Sequence, residues 1–405
     1  MTHFHLTLSA DELHQLFTTN GKLAPSIMQS FLNQLLQKQA AEQIQAEPYE
    51  RSHERTTYRN GSYERQLTTR VGRITLRVPR LRNGLFSTEL FERYQRHEKA
   101  LVLALMEMVV QGVSTRKVTE ITEELCGTSF SKSTISELCK GLDEEIQQWK
   151  ERPLNEQAYP FVVVDALYVK IREEGRIRSR SFLLATGINQ DGCREILGFT
   201  VGDSESYDSW STFFASLKER GLYGVDFVVS DQHGGLVKAI HTQFQGCTWQ
   251  RCQTHFLRNI MDATPKTLQE DVHKHVRAIL DAPSIPVART LLDETLAAFG
   301  EKAAKAMGIL EVGFDDAVAI LELPERYRKR LRTTNSVERL NEEIRRRERV
   351  IRIFPNRESA IRLIGAMLLS QDEKWSTGRK YLELDEYHEW INNRQTESHP
   401  EGTEA

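Results

Sequence analysis

Two aspartates close apolar runs: Asp165 follows Phe161-Val162-Val163-Val164, and Asp231 follows Phe227-Val228-Val229-Ser230. Short runs rich in β-branched residues predict buried strands. A carboxylate at the end of a buried strand is costly to ionise unless an opposite charge offsets it. Two such strands side by side would bring two carboxylates into one pocket. Hard divalent cations such as Mg²⁺ or Mn²⁺ take oxygen ligands of this kind. With a third acid, the set suits phosphoryl transfer assisted by two metal ions.

Candidates for the third acid lie in the segment from Thr333 to Arg347. Thr334 or Asn335 would cap a helix there. Glu338, Asn341, Glu342 and Arg345 would then share one face, with Val337, Leu340 and Ile344 packing inward. Glu338 and Glu342 are both possible ligands, and a solvated Glu/Arg helix laced with ion pairs is the alternative. A second constellation is Cys252-x-x-His255, with Cys247 five residues earlier. Structural zinc would need His273 or His275 as a fourth ligand. A buried thiol with a capping histidine is a second reading. The preferred one has Cys252 and His255 lining the active-site cleft just after a strand, where His255 would contact a phosphate or a metal-bound water.

The elements that must position these groups follow from periodicity. Residues 10–45 read as helices, opened by the capping box Ser9-x-x-Glu12. Residues 51–95 are an arginine-rich β region in which Arg70 to Pro79 alternates basic and apolar residues, flanked by turn signals at Asn60-Gly61 and Asn83-Gly84. Residues 96–151 are helical. Helices at Val118–Leu125 and Ser131–Leu142, joined by a turn at Cys126-Gly127-Thr128, fit a helix-turn-helix. Ser131 would cap the second helix, Ile135, Leu138 and Leu142 would face inward, and Lys132, Ser133 and Thr134 would face a DNA groove.

After a linker at 152–159, strands are expected at 160–170, 180–188 and 194–201. A helix carrying Trp210, Phe213, Phe214 and Leu217 follows, then a strand at 225–230, a helix at 234–244, a strand at 247–251 and a helix from 253. The order β-β-β-α-β-α-β-α is that of a ribonuclease H-like α/β core, in which the first and fourth strands are neighbours. Asp165 and Asp231 would then converge. The core would span 158–263 and 331–370. An all-helical insertion at 264–330, including the stretch Leu291 to Ala306, would interrupt it. The return segment is broken near Phe354-Pro355-Asn356. Residues 371–405 would form a C-terminal helix and a polar tail, disordered from about 392.

At 405 residues the chain predicts several domains, and 39% apolar content suffices for real cores. No run reaches the roughly 18 uncharged apolar residues of a membrane span; Leu101 to Val110 is short and carries Glu107. The first residues show no basic-then-apolar leader. Five cysteines, an odd number in a long chain, argue against a disulfide framework and for a reducing cytoplasm. A net charge of −3 hides local basic faces: residues 51–94 hold ten arginines against four glutamates, and 339–357 hold seven arginines. Arg59, Arg70, Arg73, Arg77 and Arg80 would contact phosphates from the β region, and Arg345, Arg346 and Arg347 would clamp DNA near the third acid.

Several short motifs, taken together, carry a resemblance. They are Tyr58-Arg59-Asn60-Gly61, Val78-Pro79-Arg80, Gly112-Val113-Ser114-Thr115-Arg116-Lys117-Val118, Ser131-Lys132-Ser133-Thr134, Val229-Ser230-Asp231, and Arg251-Cys252-Gln253-Thr254-His255 with Arg258-Asn259. To these are added Thr334-Asn335-Ser336-Val337-Glu338-Arg339-Leu340-Asn341, Arg345-Arg346-Arg347 and Phe354-Pro355-Asn356. Over residues 25–390 the chain resembles the Mutator-like transposases of bacterial insertion sequences, with their DDE-type acidic triad. The resemblance implies a triad at Asp165, Asp231 and Glu338, with Glu338 preferred to Glu342 because it occupies the acid of Asn-x-x-Glu-x-x-Asn. It implies two Mg²⁺ or Mn²⁺ ions per site, Asp165 bridging both and Asp231 and Glu338 holding one each. It further implies cleavage at element ends, joining of the 3′-hydroxyl to another strand, and double-stranded terminal repeats and target DNA as partners. The chain would act as at least a dimer in the bacterial cytoplasm, on the nucleoid when DNA-bound. A host nuclease or junction resolvase on the same fold, and a domesticated DNA-binding regulator, are the alternatives.

Overall fold

The computed structural model describes residues 24–51, 53–69, 71–82, 86–88, 99–126 and 130–398. Arg70, the Ser9 capping box, the Asn83-Gly84 turn, the turn residues 127–129 and the last seven residues lie outside them. The chain is mixed α/β and divides into two units, Met1–Gly141 and Leu142–Ala405.

In the first unit, α1 (Ala24–Ile44) packs on an antiparallel hairpin of β1 (Arg59–Thr69) and β2 (Gly72–Leu81). The two-residue period of β2 turns Ile74, Leu76 and Val78 inward against Leu36 and Leu67, and leaves Arg73, Arg77 and Arg80 exposed. Gln29 and Asn33, one helical turn apart, accept hydrogen bonds from the backbone N–H groups of Thr75 (2.9 Å) and Arg77 (2.7 Å). They thereby satisfy donors on the open edge of β2. Arg59 is half-buried.

Helices α2 (Lys99–Val110), α3 (Thr115–Cys126) and α4 (Lys132–Cys139) share a core of Leu101, Leu105, Val118, Phe130 and Ile135. Ser131 caps α4, its hydroxyl accepting from Thr134 N–H at 3.1 Å, with Lys132 and Ser133 exposed beside it. The α4 helix ends three residues earlier than expected. Residues 140–142 tighten into a 3₁₀ turn, and Leu142 begins the second unit instead of facing the α4 core.

The second unit opens with α5 (Asp143–Lys150), followed by β3 (Phe161–Glu173), β4 (Arg176–Ile188) and β5 (Arg194–Gly202). Next come α6 (Tyr207–Glu219), β6 (Phe227–Ser230), α7 (Gly234–Gln243), β7 (Thr248–Arg251) and α8 (Gln253–Ala263). The strands form one sheet in the order β5-β4-β3-β6-β7. β3, β4 and β5 are antiparallel neighbours, whereas β6 runs parallel to β3 and β7 parallel to β6. One face, carrying Val162, Val164, Leu183 and Leu197, is covered by Trp210, Phe213 and Phe214 of α6 and Ile240 of α7.

Four helices follow: α9 (Gln269–Leu280), α10 (Ile285–Phe299), α11 (Ala304–Val318) and α12 (Glu325–Leu331). The stretch Leu291 to Ala306 is not one helix. It breaks at 300–303, beginning with Gly300, a poor helix former. α13 (Asn335–Ile351), α14 (Arg357–Ser376) and α15 (Asp385–Ser398) complete the chain. α15 runs into the stretch expected to be disordered from 392; its first turns are anchored through buried Tyr387, after which propagation is cheap. Among the described residues no helix is long and apolar enough to cross a membrane.

Polar side chains join α14 to the sheet edge. The buried Asp372 carboxylate accepts from Ile196 N–H of β5 (2.6 Å) and Trp149 Nε1 of α5 (2.8 Å), and pairs with Arg152 at 3.3 Å. Removing it leaves those donors buried and unpaired, so Asp372→Ala should lower stability by about 3 kcal/mol in a denaturant titration. A second network links Glu173 to Arg180 and Arg357, and Arg357 to Asp203 at 2.8 Å. The Arg180 hydrogen bond holds Glu173 below the usual carboxylate range, and Arg357 does the same for Asp203. A depressed folded value contributes stability that is complete above the ordinary range of about 4 and is lost as pH falls through the folded value. Melting temperature should therefore drop more steeply on acidification, from about pH 5 to about pH 3, in the native chain than in Glu173→Gln.

Candidate active site

The parallel register of β3 on β6 pairs Phe161 with Phe227 and Val163 with Val229. Two residues further on, at the level where β6 ends, stand Asp165 and Asp231. Asp165 is pushed up to about 7, first by burial and then by the neighbouring Asp231 charge. Two hydrogen bonds hold its carboxylate: Oδ1 accepts from Ala166 N–H at 2.9 Å, and Oδ2 accepts from Asn341 Nδ2 at 2.6 Å.

Asn341 belongs to α13, which is fixed at both ends. At its start, Thr334 occupies the N-cap position but does not cap with its side chain. Its hydroxyl and backbone N–H both point to Cys252 Sγ, at 3.4 and 3.5 Å. Gln253 N–H donates to Arg332 O nearby, at 3.0 Å. Beyond its end, Phe354 joins the free edge of β3: its N–H donates to Lys170 O (2.8 Å) and its carbonyl accepts from Arg172 N–H (2.9 Å). Between these anchors Val337, Leu340 and Ile344 are buried as their spacing predicts, so the Glu338 and Asn341 face is turned to the strand ends.

His255, in the first turn of α8, lies between two acids. Its Nδ1 pairs with Asp231, and its Nε2 is 3.6 Å from Glu338 Oε1. The hydrogen bond to Asp231, then the one to Cys252, raises the imidazole well above its ordinary value. Ligand atoms of Asp231, Cys252 and His255 lie within 4.8 Å of one another, a group able to hold a metal ion. Cys247 is not part of it. His273 is exposed, and His275 bonds Asp271 O at 2.9 Å while its ring meets Phe299 edge-on, so the zinc set considered from spacing does not form.

Asp165, Asp231, Glu338 and His255 thus come together, whereas Glu342 is exposed on the outer side of α13. Cys252 is fully buried beneath them. Arg345 and Arg346 are exposed, but Arg347 turns inward and pairs with Glu343, because its helical phase places it with the packing residues. Burial removes it from the expected DNA-facing set. The spacing places Asn341 on the Glu338 face, but its hydrogen bond to Asp165 is not foreseen from it. The available signal was an amide one turn after an acid, on the same face.

Comparison with known proteins decides the family. The family described as transposase, Mutator family, matches residues 1–378. The transposase for insertion sequence element IS256 in transposon Tn4001 of Staphylococcus aureus is 46% identical over 390 residues, covering 95% of this chain and 100% of that protein. The transposase for ISRM5 of Rhizobium meliloti is 44% identical over 90% of this chain and 91% of its own length. For the IS1081 transposase of Mycobacterium tuberculosis the figures are 38%, 95% and 93%.

The chain belongs to the Mutator family of transposases. Replacing Asn341 with Ala removes one of the two hydrogen bonds on Asp165. A hydrogen bond to a charged group contributes about 1.5–3 kcal/mol, so transposition should fall roughly tenfold to a hundredfold. Excision assays would read that loss, and an unchanged melting temperature would separate it from unfolding.

Proposed function

We propose that this transposase cuts DNA at the ends of an insertion element and joins the freed 3′-hydroxyl to another strand, using Asp165, Asp231 and Glu338. The observation that carries this reading is convergence. Register sets Asp165 beside Asp231, and α13, tied to Asp165 through Asn341, brings Glu338 to the histidine that pairs with Asp231. The sheet order, three antiparallel strands continued by two parallel ones, supports a ribonuclease H-like core at 158–263 and 331–370, with the helices of 264–330 inserted before the third acid.

The donor set fits Mg²⁺ or Mn²⁺. All three acids offer hard oxygen ligands, and burial, then the Asp231 charge, makes ionised Asp165 costly, a cost that a bound cation would offset. In this reading Asp165, Asp231 and Glu338 would hold two such ions. When bound, such ions activate the attacking oxygen and neutralise the leaving one. The chain's own groups do the positioning. Asn341 and the Ala166 N–H fix the Asp165 carboxylate, and His255 spans Asp231 and Glu338. Thr334 on Cys252 and Phe354 on β3 keep α13 in place.

DNA contact is assigned to the regions 51–95 and 96–151, through Arg73, Arg77 and Arg80 on β2 and Lys132, Ser133 and Thr134 at the α4 N-terminus. Arg345 and Arg346 serve beside the acids. Phosphate contacts of this kind position the duplex without reading its sequence. Two element ends processed together require at least a dimer, acting on the bacterial chromosome.

Asp165→Asn should reduce Mg²⁺-dependent cleavage and joining on the order of a thousandfold or more while leaving affinity for element ends within about twofold. Incubation with a labelled 3′-hydroxyl end measures both products, and a joined product separates transposition from simple nuclease action. Parallel loss of binding and cleavage in this variant would sink the assignment.

A further inference from the structure

β3 and β4 are 13 residues long each, whereas β6 and β7 have four, so the β3–β4 hairpin outruns the rest of the sheet. On one face of β3, Val162, Val164 and Ala166 are covered by α6 and α7. The same face continues through Tyr168, Lys170 and Arg172, which are exposed, as are their cross-strand neighbours Ser179 and Ile177. On the opposite face of β3, Val169 and Ile171 are fully buried. β3 is therefore bare on one side here, and that side presents an aromatic ring 51% exposed followed by two cations.

The ring is held in position. Its hydroxyl is hydrogen-bonded to the backbone and carboxylate of Glu205. The same carboxylate accepts from Trp210 Nε1 at 3.4 Å and lies 3.7 Å from His233 Nδ1. His233 is two residues past Asp231, and Tyr168 is three past Asp165, about 10 Å along the strand and, by strand alternation, on the opposite face of the sheet. Of the neighbouring acids, Glu173 is engaged by Arg180 and Arg357 and Glu174 by Arg178 at 2.9 Å, whereas Glu348 lies beside Lys170. Successive residues on this face are about 7 Å apart, roughly one nucleotide of an extended strand.

We propose that this face is a platform for unpaired DNA, with Tyr168 stacked on a base and Lys170 and Arg172 taking phosphates. It rests on the reading of Asp165 and Asp231 as the DNA-processing site. An exposed ring stacks on any base, and cations at strand spacing follow a backbone, a combination that binds single strands with little sequence preference.

The test uses the full-length chain in EDTA with an oligothymidine carrying 5-iodouracil, cross-linked by light and mapped by mass spectrometry. An adduct on Tyr168 is expected. Tyr168→Ala should lose it and bind about tenfold more weakly, whereas Tyr168→Phe, which keeps the ring, stays within about twofold. A Lys170→Ala/Arg172→Ala chain should lower the slope of log affinity against log salt by about one to two. Adducts confined to segments outside 168–179, or unchanged affinity in Tyr168→Ala with an unchanged salt slope in the double variant, would overturn the platform. Metal-dependent cleavage is scored separately. A chain that cleaves without a Tyr168 adduct loses the platform alone, and one that forms the adduct yet never cleaves loses the catalytic assignment.

Discussion

Like charges held at one level of a parallel strand pair are the constraint around which the second unit is arranged. Because Val163 faces Val229, the next acid on each strand arrives beside the other, and water is too scarce there to screen them. Each surrounding group answers that repulsion. An amide and a backbone N–H hold Asp165, and an imidazole leans on Asp231.

The third acid is a problem of distance along the chain, solved by anchoring. Over one hundred residues separate Asp231 from Glu338, and the last four helices of that stretch are α9 to α12. Those helices are joined to the sheet by buried polar contacts: Gln250 on β7 donates to Ala317 O at 2.9 Å and accepts from Ile320 N–H at 2.6 Å, and Gln253 also donates to Ala317 O. Arg251 stacks over Phe256, 4.3 Å away, and Gly313 of α11 leaves room for it, since a β-carbon there would lie 2.3 Å from the guanidinium. The chain therefore returns at Arg332 and Thr334 to a fixed point beside Cys252, and α13 starts in register with the strand ends.

Much of this was legible in the residues. Apolar runs located all five strands of the sheet to within a few positions, because burial on both faces demands uninterrupted Val, Ile and Phe. The aspartates stood out for the opposite reason, as charges where burial forbids them. Helix phase was harder to read. Val337, Leu340 and Ile344 fixed the inner face of α13, yet Arg347 joined that face and Asn341 found Asp165 only through tertiary contact. The Cys247, Cys252 and His255 spacing was compatible with zinc, and only packing showed that Cys252 supports Thr334 while His255 faces the acids.

The short bridge between Phe354 and β3 has a wider bearing. It amounts to two hydrogen bonds on a strand edge, far less than the sheet's own ladders, yet it is one of the two moorings of the helix that carries Glu338. Local opening costs only what the opened segment loses, so this strap can detach while β3 to β7 stay folded. Competence for chemistry is thus a property of a subglobal unit, less robust than the fold that hosts it. A preparation whose circular dichroism and melting look native can still hold molecules in which the third carboxylate has drifted from the other two.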